Sequence, residues 1–253
     1  MVRMIMHGCN GRMGKMISQI VDEDPDIEIT AGVDINTASD GKFPVFDSIE
    51  KVDAATADVV VDFGNASAVD KVIDWCVANK IPLVECTTGL TDETLEKMKS
   101  AAASIPMFKS ANMSMGINII QKILRENAAK LAEAGFDIEI VEKHHRTKLD
   151  APSGTALALA DSVNEGLDKK KEYVFDRSGR RMVRPDTEIG ISAVRGGTIV
   201  GDHDVIFAGR DEVITFSHTA YSRAVFAKGA VEAAKYVPGK SAGHYDMSDV
   251  LGG

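Results

Sequence analysis

The sequence predicts an α/β protein with a doubly wound parallel sheet in its N-terminal part and a smaller α+β domain, carrying a mixed sheet, behind it. Three observations lead there. Short apolar runs alternate with helix-period stretches through the first half. A glycine-rich turn joins the first apolar run to the first helical stretch. Beyond residue 113 the pattern changes to one long helix and a close-set series of strand-like runs.

Met4-Ile5-Met6 opens as a strand, and residues 12–21 place Met13, Met16, Ile17, Ile20 and Val21 on one helical face. Residues 27–33 form a second strand. Val59-Val60-Val61 is β-branched and unbroken, as a strand buried on both faces should be. Residues 69–77 are helical, 82–86 a strand, and 91–103 helical with Asp92 and Glu93 in the first turn, where the helix dipole favours acids. Met107-Phe108 makes one more short strand.

A helix from about 115 to 134 then stops at Gly135. Residues 137–141 alternate as a strand and 156–163 are helical. The charged stretch 164–186, with Gly166, Gly179 and Pro185, contains a long loop. Strand-like runs at 189–194, 199–207 and 213–218 follow, with turn signals at Gly196-Gly197 and Gly209-Arg210-Asp211, so their pairing is antiparallel or mixed. An alanine-rich helix at 222–236 closes the pattern. The expected division is residues 1–112 with 221–253 as a dinucleotide-binding domain and 113–220 as a substrate-binding and oligomerisation domain.

Composition narrows the function. Twenty-nine basic against 38 acidic side chains give a net charge of −9, which argues against a general polyanion binder. Aromatics are 6% and the sole basic run is short, so no nucleic-acid partner is expected. No apolar run approaches the ~18 residues of a spanning helix, so no membrane partner is expected. The N-terminus carries no apolar stretch long enough for a signal peptide. Three cysteines (Cys9, Cys76, Cys86) lack metal-ligand spacing; a reducing, cytoplasmic setting and no metal are expected.

Gly8-Cys9-Asn10-Gly11-Arg12-Met13-Gly14 lies between the first strand and the first helix. Glycines there let backbone amides approach a pyrophosphate at the helix N-terminus. The G-x-x-G-x-x-G spacing is one residue longer than the common fingerprint, and the same turn could be purely structural. Asp34, 20 residues beyond Gly14 at the end of the second strand, adds weight as a partner for a ribose 2′-hydroxyl, in the Rossmann-like manner. A carboxylate ~4 Å from a 2′-phosphate costs roughly 4 kcal/mol at an effective dielectric of about 20 unless a cation offsets it. The residues after Asp34 supply none before Lys42. NADH is therefore expected to serve at least as well as NADPH.

The run from Glu142 to Ala156 is the most informative. Residues 143–148 hold Lys143, His144, His145, Arg146 and Lys148 in an otherwise acidic chain, which suits a small polyanionic substrate. A histidine titrating near neutrality lies close to a lysine whose pKa cationic neighbours can lower. Pro152-Ser153-Gly154-Thr155 opens a helix whose free amides and hydroxyls could grip a carboxylate. The plainer alternatives are a solvated basic loop and a simple N-cap.

This run closely resembles the signature of the dihydrodipicolinate (4-hydroxy-tetrahydrodipicolinate) reductase family. Further matches lie at Gly8–Gly14, Thr87-Thr88-Gly89, Ala111-Asn112, Arg195-Gly196-Gly197, Ile199-Val200-Gly201, Ser222-Arg223 and Phe226-Ala227. The resemblance implies reduction of a cyclic imine dicarboxylate by NAD(P)H, with loss of water, in the diaminopimelate and lysine pathway. It implies His144 as acid/base, Lys148 as proton donor, and His145, Ser153, Gly154 and Thr155 as substrate contacts. It implies cofactor contacts at Gly8, Asn10, Gly11, Arg12, Met13, Asp34, Cys86, Thr87, Thr88, Ser110, Ala111, Asn112 and Met113. It also implies a homotetramer assembled through the C-terminal sheet.

Three positions depart from the pattern. Met113 stands where an aromatic residue is expected near the nicotinamide, and a thioether can pack there. Cys86 replaces a small residue, and Asp62-Phe63-Gly64-Asn65-Ala66 keeps only the first two residues of an Asp-Phe-Thr-x-Pro turn. Two other readings stand beside this one. A semialdehyde dehydrogenase on the same half-fold would need a nucleophilic cysteine, with Cys86 the only contender. A non-catalytic dinucleotide sensor would need the glycine turn but not the His-Lys run.

Overall fold

The computed structural model describes residues 1–252. In chain order the elements are β1 (Val2–His7), α1 (Arg12–Asp22), β2 (Ile27–Val33), β3 (Val45–Phe46), β4 (Val59–Asp62), α2 (Val69–Asn79), β5 (Leu83–Glu85), α3 (Asp92–Ala101) and β6 (Pro106–Phe108). Then come α4 (Met115–Glu133), β7 (Asp137–His144), α5 (Gly154–Glu165), β8 (Glu172–Val174), β9 (Glu188–Arg195), β10 (Gly201–Ala208) and β11 (Val213–Ala220). The chain ends with α6 (Ala224–Tyr236), β12 (Gly243–Tyr245) and α7 (Met247–Val250). It divides into two compact units, residues 1–114 with 224–253 and residues 115–223.

The first unit is built on a seven-stranded sheet of order β12-β6-β5-β4-β1-β2-β3, in which every pairing is parallel. Both faces are covered, which is why the runs Met4–Met6 of β1 and Val59–Val61 of β4 are apolar without a break. Ile5, Val60, Leu83 and Met107 share a buried cluster with Ile73 and Trp75 of α2 and Met98 of α3. The alternate residues Met4, Met6, Val61 and Phe108 are equally buried, and α6 packs against β1, β4 and β5 while lying against α1. The strand order reverses at β1, between β2 and β4, and in such sheets the carboxyl ends of the strands at that point form a ligand crevice. The short strands β3 and β12 escape a reading by periodicity because two or three residues hold no period; pairing with a neighbour defines them.

The second unit is a five-stranded mixed sheet of order β11-β10-β7-β9-β8. β7 is antiparallel to β10 and parallel to β9, and β10 is antiparallel to β11. Helices α4 and α5 pack on each other and bury Ile117, Leu124, Leu159 and Val163 against Ile138, Ile140, Ile191, Val205 and Phe207. The positive φ of Gly135, +87°, ends α4 as its sequence position predicts. The charged stretch 164–186 is not all loop, since β8 adds an edge strand there.

Candidate active site

Two sets of side chains collect at strand ends, one in each unit. In the first unit, β1 runs into the glycine turn. Gly8 has φ +80°, and a Cβ there would lie 2.6 Å from the Phe63 carbonyl oxygen, so only glycine fits. Gly14 is buried, and a side chain on it would strike the Gly8 and Cys9 backbone. Gly11 is the N-cap of α1 and no side chain caps that helix. Gly11 and Arg12 are exposed and Met13 is half-buried, so the α1 N-terminus offers amides and a dipole to an anion.

Asp34 follows β2 directly. Its carboxylate accepts from the amides of Asn10 (3.0 Å) and Asn36 (3.0 Å). The Asn10 side chain donates to the carbonyls of Asn36 (2.6 Å) and Ala38 (2.8 Å), binding residues 34–38 to the glycine turn. Lys42, the nearest cation in sequence, is paired with Asp22. A cavity of about 380 Å³ opens at the switch point, with Gly8, Gly11, Val33, Asp34, Gly64 and Lys71 among its lining. The donors, the cavity and the uncapped helix suit a dinucleotide.

The remaining expected cofactor positions sit on the turns after β5 and β6. Thr87 is buried and Thr88 exposed; Ala111 is exposed, and Cys86, Ser110 and Asn112 are half-buried. The Ser110 hydroxyl donates to the Asn112 carbonyl (3.0 Å), and the Asn112 side-chain oxygen accepts the Ser114 amide (2.8 Å). Met113 is buried, its backbone against Gly229 of α6, where a Cβ would collide with the Met113 carbonyl. Burial pushes the Cys86 thiol well above its ordinary pKa, reinforced by Glu85 and Asp62, and burial with Asp34 pushes Cys9 up to about 11. Neither is a ready nucleophile, which weakens the semialdehyde dehydrogenase reading.

In the second unit the strand β7 continues past Val141 to His144. Its alternation therefore carries Ile138, Ile140, Glu142 and His144 onto the same helix-covered face. The first two are core and the last two are polar. Glu142 is fully buried and accepts four hydrogen bonds: Arg195 Nη1 and Nη2 (2.7 Å each), His144 Nδ1 (2.6 Å) and the Ser153 amide (3.0 Å). Burial alone would raise its pKa, but the Arg195 guanidinium, His144 and Ser153 outweigh it and hold the carboxyl below the usual carboxylate range.

His203 of β10 stands opposite Glu142 in register. Its ring meets that of His144 edge-on at 5.1 Å, and its Nε2 is 3.0 Å from the Ser153 hydroxyl. Burial, then the neighbouring His144, lowers its pKa to about 4, so His203 is neutral at pH 7. With Nδ1 of His144 committed to Glu142, Nε2 is its free ring nitrogen, and it lies over Gly201, 3.0 Å from where a Cβ would stand.

The loop from 145 to 153 folds over this group. His145 Nδ1 is 2.8 Å from the Thr147 hydroxyl, the His145 carbonyl accepts the Lys148 amide (3.1 Å), and the Gly197 carbonyl accepts the Arg146 amide (3.2 Å). Lys148 Nζ pairs with Asp150 at 2.8 Å, so its charged partner is an acid and not the basic neighbours. The Asp150 carbonyl in turn accepts Arg195 Nη2 (2.5 Å), which ties the lysine's ion pair to the Glu142 group. Ser153 is buried and caps α5 through the Ala156 amide (3.1 Å), with Gly154 exposed and Thr155 half-buried in the first turn. His144, Lys148, Ser153, Gly154 and Thr155 are thus brought together. Glu142, Arg195 and His203 join them, although no sequence pattern assigns them a role. A histidine on the core face of β10, among Gly201, Val205 and Phe207, was the available signal. No cluster of three or more potential metal ligands exists among the described residues, and no helix among them is long and apolar enough to cross a membrane.

Residues 2–113 match the family "Dihydrodipicolinate reductase, N-terminus" and residues 116–251 match "Dihydrodipicolinate reductase, C-terminus". The 4-hydroxy-tetrahydrodipicolinate reductase of Caldanaerobacter subterraneus subsp. tengcongensis is 51% identical over 251 residues, covering 99% of this chain and 98% of that one. The protein of the same name from Clostridium tetani is 49% identical, with 99% and 97% covered. Among solved structures, a dipicolinate-bound dihydrodipicolinate reductase from Paenisporosarcina sp. TG-14 superposes with a TM-score of 0.77 at 26% identity, covering 97% of each chain.

Proposed function

Since the chain belongs to the dihydrodipicolinate reductase family and catalyses the NAD(P)H-dependent reduction of 4-hydroxy-tetrahydrodipicolinate in lysine and diaminopimelate biosynthesis, we propose how its two units divide that work. Residues 1–114 with 224–253 hold the nucleotide, and residues 115–223 hold the dicarboxylate. The observation that carries this is the Glu142–His144 pair held at the N-cap of α5 through Ser153 and joined by Arg195 to the Lys148–Asp150 ion pair.

The uncapped start of α1 takes the pyrophosphate, with Gly8, Asn10, Gly11, Arg12 and Met13 around it. Asp34 takes the ribose hydroxyls. Cys86, Thr87, Thr88, Ser110, Ala111, Asn112 and Met113 form the nicotinamide end. When bound, NAD(P)H supplies the hydride. Lys42, the nearest cation to Asp34 in sequence, is paired with Asp22; this supports NADH being used at least as well as NADPH.

On the substrate side, the amides of Gly154 and Thr155 at the α5 N-terminus hold one carboxylate. His145 contributes to the same grip, and Ser153, through its cap, fixes the turn that presents it. Glu142 fixes the His144 tautomer by taking Nδ1, leaving Nε2 to carry or receive the proton. Lys148 bears the proton that compensates the negative charge created on the ring when hydride arrives. Asp150 neutralises Lys148 until an anionic substrate takes its place. General acid help of this kind is worth ~10²–10⁴-fold.

The proposed assembly is a homotetramer formed through the face of the mixed sheet opposite α4 and α5, where Val194, Val213 and Thr215 are exposed. Sedimentation of the purified protein tests it, and a monomer at micromolar concentration would overturn it. The assignment of roles is tested by following NADH absorbance with enzymatically generated substrate: oxidation that depends on the dicarboxylate is expected, and NADH binding without oxidation would favour the sensor reading.

A further inference from the structure

The carboxyl ends of the four central strands of the first unit carry a row of charged and titratable side chains where the strand interiors carry only apolar ones. Parallel register sets His7 of β1 beside Asp62 of β4, and Asp62 beside Glu85 of β5. Leu83 pairs with Met107, so continuing that register two residues on sets Glu85 beside Lys109. By strand alternation these residues share the face of Ile5, Val60, Leu83 and Met107, the one packed on α2. Asp62 and Glu85 are both completely buried. Acids at such positions cost stability unless something pairs them.

Each acid uses one oxygen well. Asp62 Oδ1 lies 2.6 Å from His7 Nδ1 and accepts the Gly64 amide at 2.6 Å. Glu85 Oε1 accepts the Thr87 amide at 2.6 Å. The other oxygen of each, Asp62 Oδ2 and Glu85 Oε2, is buried with no partner. Two orphaned oxygens on neighbouring acids are both satisfied by one proton held between them.

We propose that Glu85 is a positioning residue for the cofactor, keeping a proton that it shares with Asp62. The row His7–Asp62–Glu85–Lys109 thereby locks the turns after β1, β4 and β5 into one platform. The connections are continuous. The His7 carbonyl accepts the Phe63 amide (3.1 Å), the Asp62 carbonyl accepts the Cys86 amide (2.9 Å), and Lys109 Nζ donates to the Thr87 carbonyl (3.3 Å). Gly8, which tolerates no side chain, rests on that same Phe63 carbonyl. Through Asp62 and Thr87, Glu85 thus sets the backbone of the turns after β4 and β5 without itself being a nucleotide contact. This inference rests on the proposal that these turns hold NAD(P)H.

The charged form of Glu85 is disfavoured first by burial and then by Asp62; the Thr87 amide and Lys109 oppose this and do not overcome it, so its pKa stands well above the carboxylate range. The groups that face it are His7, Asp62, Cys86 and Lys109 from the sheet side and Cys76 from α2. The thiols of Cys76 and Cys86 are themselves pushed well up by burial and by the two acids. Because the folded protein holds a proton that the unfolded chain has lost, Glu85 erodes stability as pH rises from the ordinary carboxylate pKa toward its own folded value.

Three measurements decide the matter. Infrared spectra of the full-length wild type at neutral pH should show a carboxylic-acid carbonyl band that shifts in D2O and is absent from Glu85→Gln. The glutamine retains a donor for Asp62 and an acceptor for Thr87. It should therefore keep the wild-type KM for NADH and melt above wild type at about pH 9, with the gain fading by about pH 5. Glu85→Val loses both bonds and should raise the KM for NADH about tenfold or more while kcat and the KM for the dicarboxylate change less than about threefold. Absence of the band, or a valine variant with unchanged NADH affinity, overturns the proposal. If wild type itself fails to bind NADH, the nucleotide assignment falls separately, and the infrared and melting results still judge the shared proton.

Discussion

Arg195→Met is the sharpest perturbation of the substrate-side group. Glu142 is fully buried, and of its four donors only Arg195 brings a permanent charge. Removing the guanidinium strands a carboxylate in a largely apolar setting, and breaking a buried pair from one side costs about 3–5 kcal/mol. The Arg195 side chain keeps 19% exposure, so water reaches the gap and the lower end applies, about 3 kcal/mol. At about 2–4 °C per kcal/mol for a chain of this size, the melting temperature should fall on the order of 10 °C near pH 8.

The pH dependence gives the signature. In wild type the Glu142 carboxyl lies below its ordinary range, so its contribution is present above that range and fades as pH falls. In the variant, burial is no longer outweighed by the guanidinium, the carboxyl moves up, and acid relieves the strain by protonating it. The gap between the two proteins should therefore narrow from about pH 8 to about pH 5. Far-UV circular dichroism is the suitable readout, because the one tryptophan, Trp75, belongs to the other unit. Adding Glu142→Gln to Arg195→Met should recover most of the loss by removing the stranded charge. A loss below about 1 kcal/mol, or one equal at both pH values, would refute the reasoning.

Lys148→Ala should lower kcat by ~10²–10⁴ with NADH affinity unchanged, and a kcat within about threefold of wild type removes the proton-donor role. NADH should give a kcat/KM at least equal to that of NADPH, and Asp34→Ala should raise the NADPH value; a roughly hundredfold wild-type preference for NADPH contradicts a repulsion of about 4 kcal/mol between Asp34 and a 2′-phosphate. Gly8→Ala forces a Cβ to 2.6 Å from the Phe63 carbonyl at φ +80°, so NADH binding should weaken by at least about tenfold, and an alanine variant with wild-type KM for NADH would show the turn to be pliable. Alkylation of the native protein at neutral pH should leave activity within about twofold, since burial holds all three thiols protonated; prompt inactivation would revive a cysteine nucleophile.

Local periodicity was enough to recover most elements, because burial on one face or two imprints a period of 3.6 or 2 on residues close together in the chain. β2, where Ile27, Ile29, Ala31 and Val33 alternate, is an example, whereas the β4 run Val59–Val61 is marked by being unbroken. The glycine turn and the 142–156 run stood out for a related reason: each is a contiguous segment marked by its own residue types. What the sequence hid was everything set by pairing between distant strands. That Glu142 would face His203 depended on the register of β7 against β10, and that Asp62 would lie against Glu85 depended on the register of β4 against β5. By charge alone residues 142–144 belong to a basic loop; the continuation of β7 turns Glu142 and His144 inward instead. A chain states which residues it carries and how they repeat; only the tertiary structure decides which of them share a buried proton or a charge, because that depends on distances that no local pattern encodes.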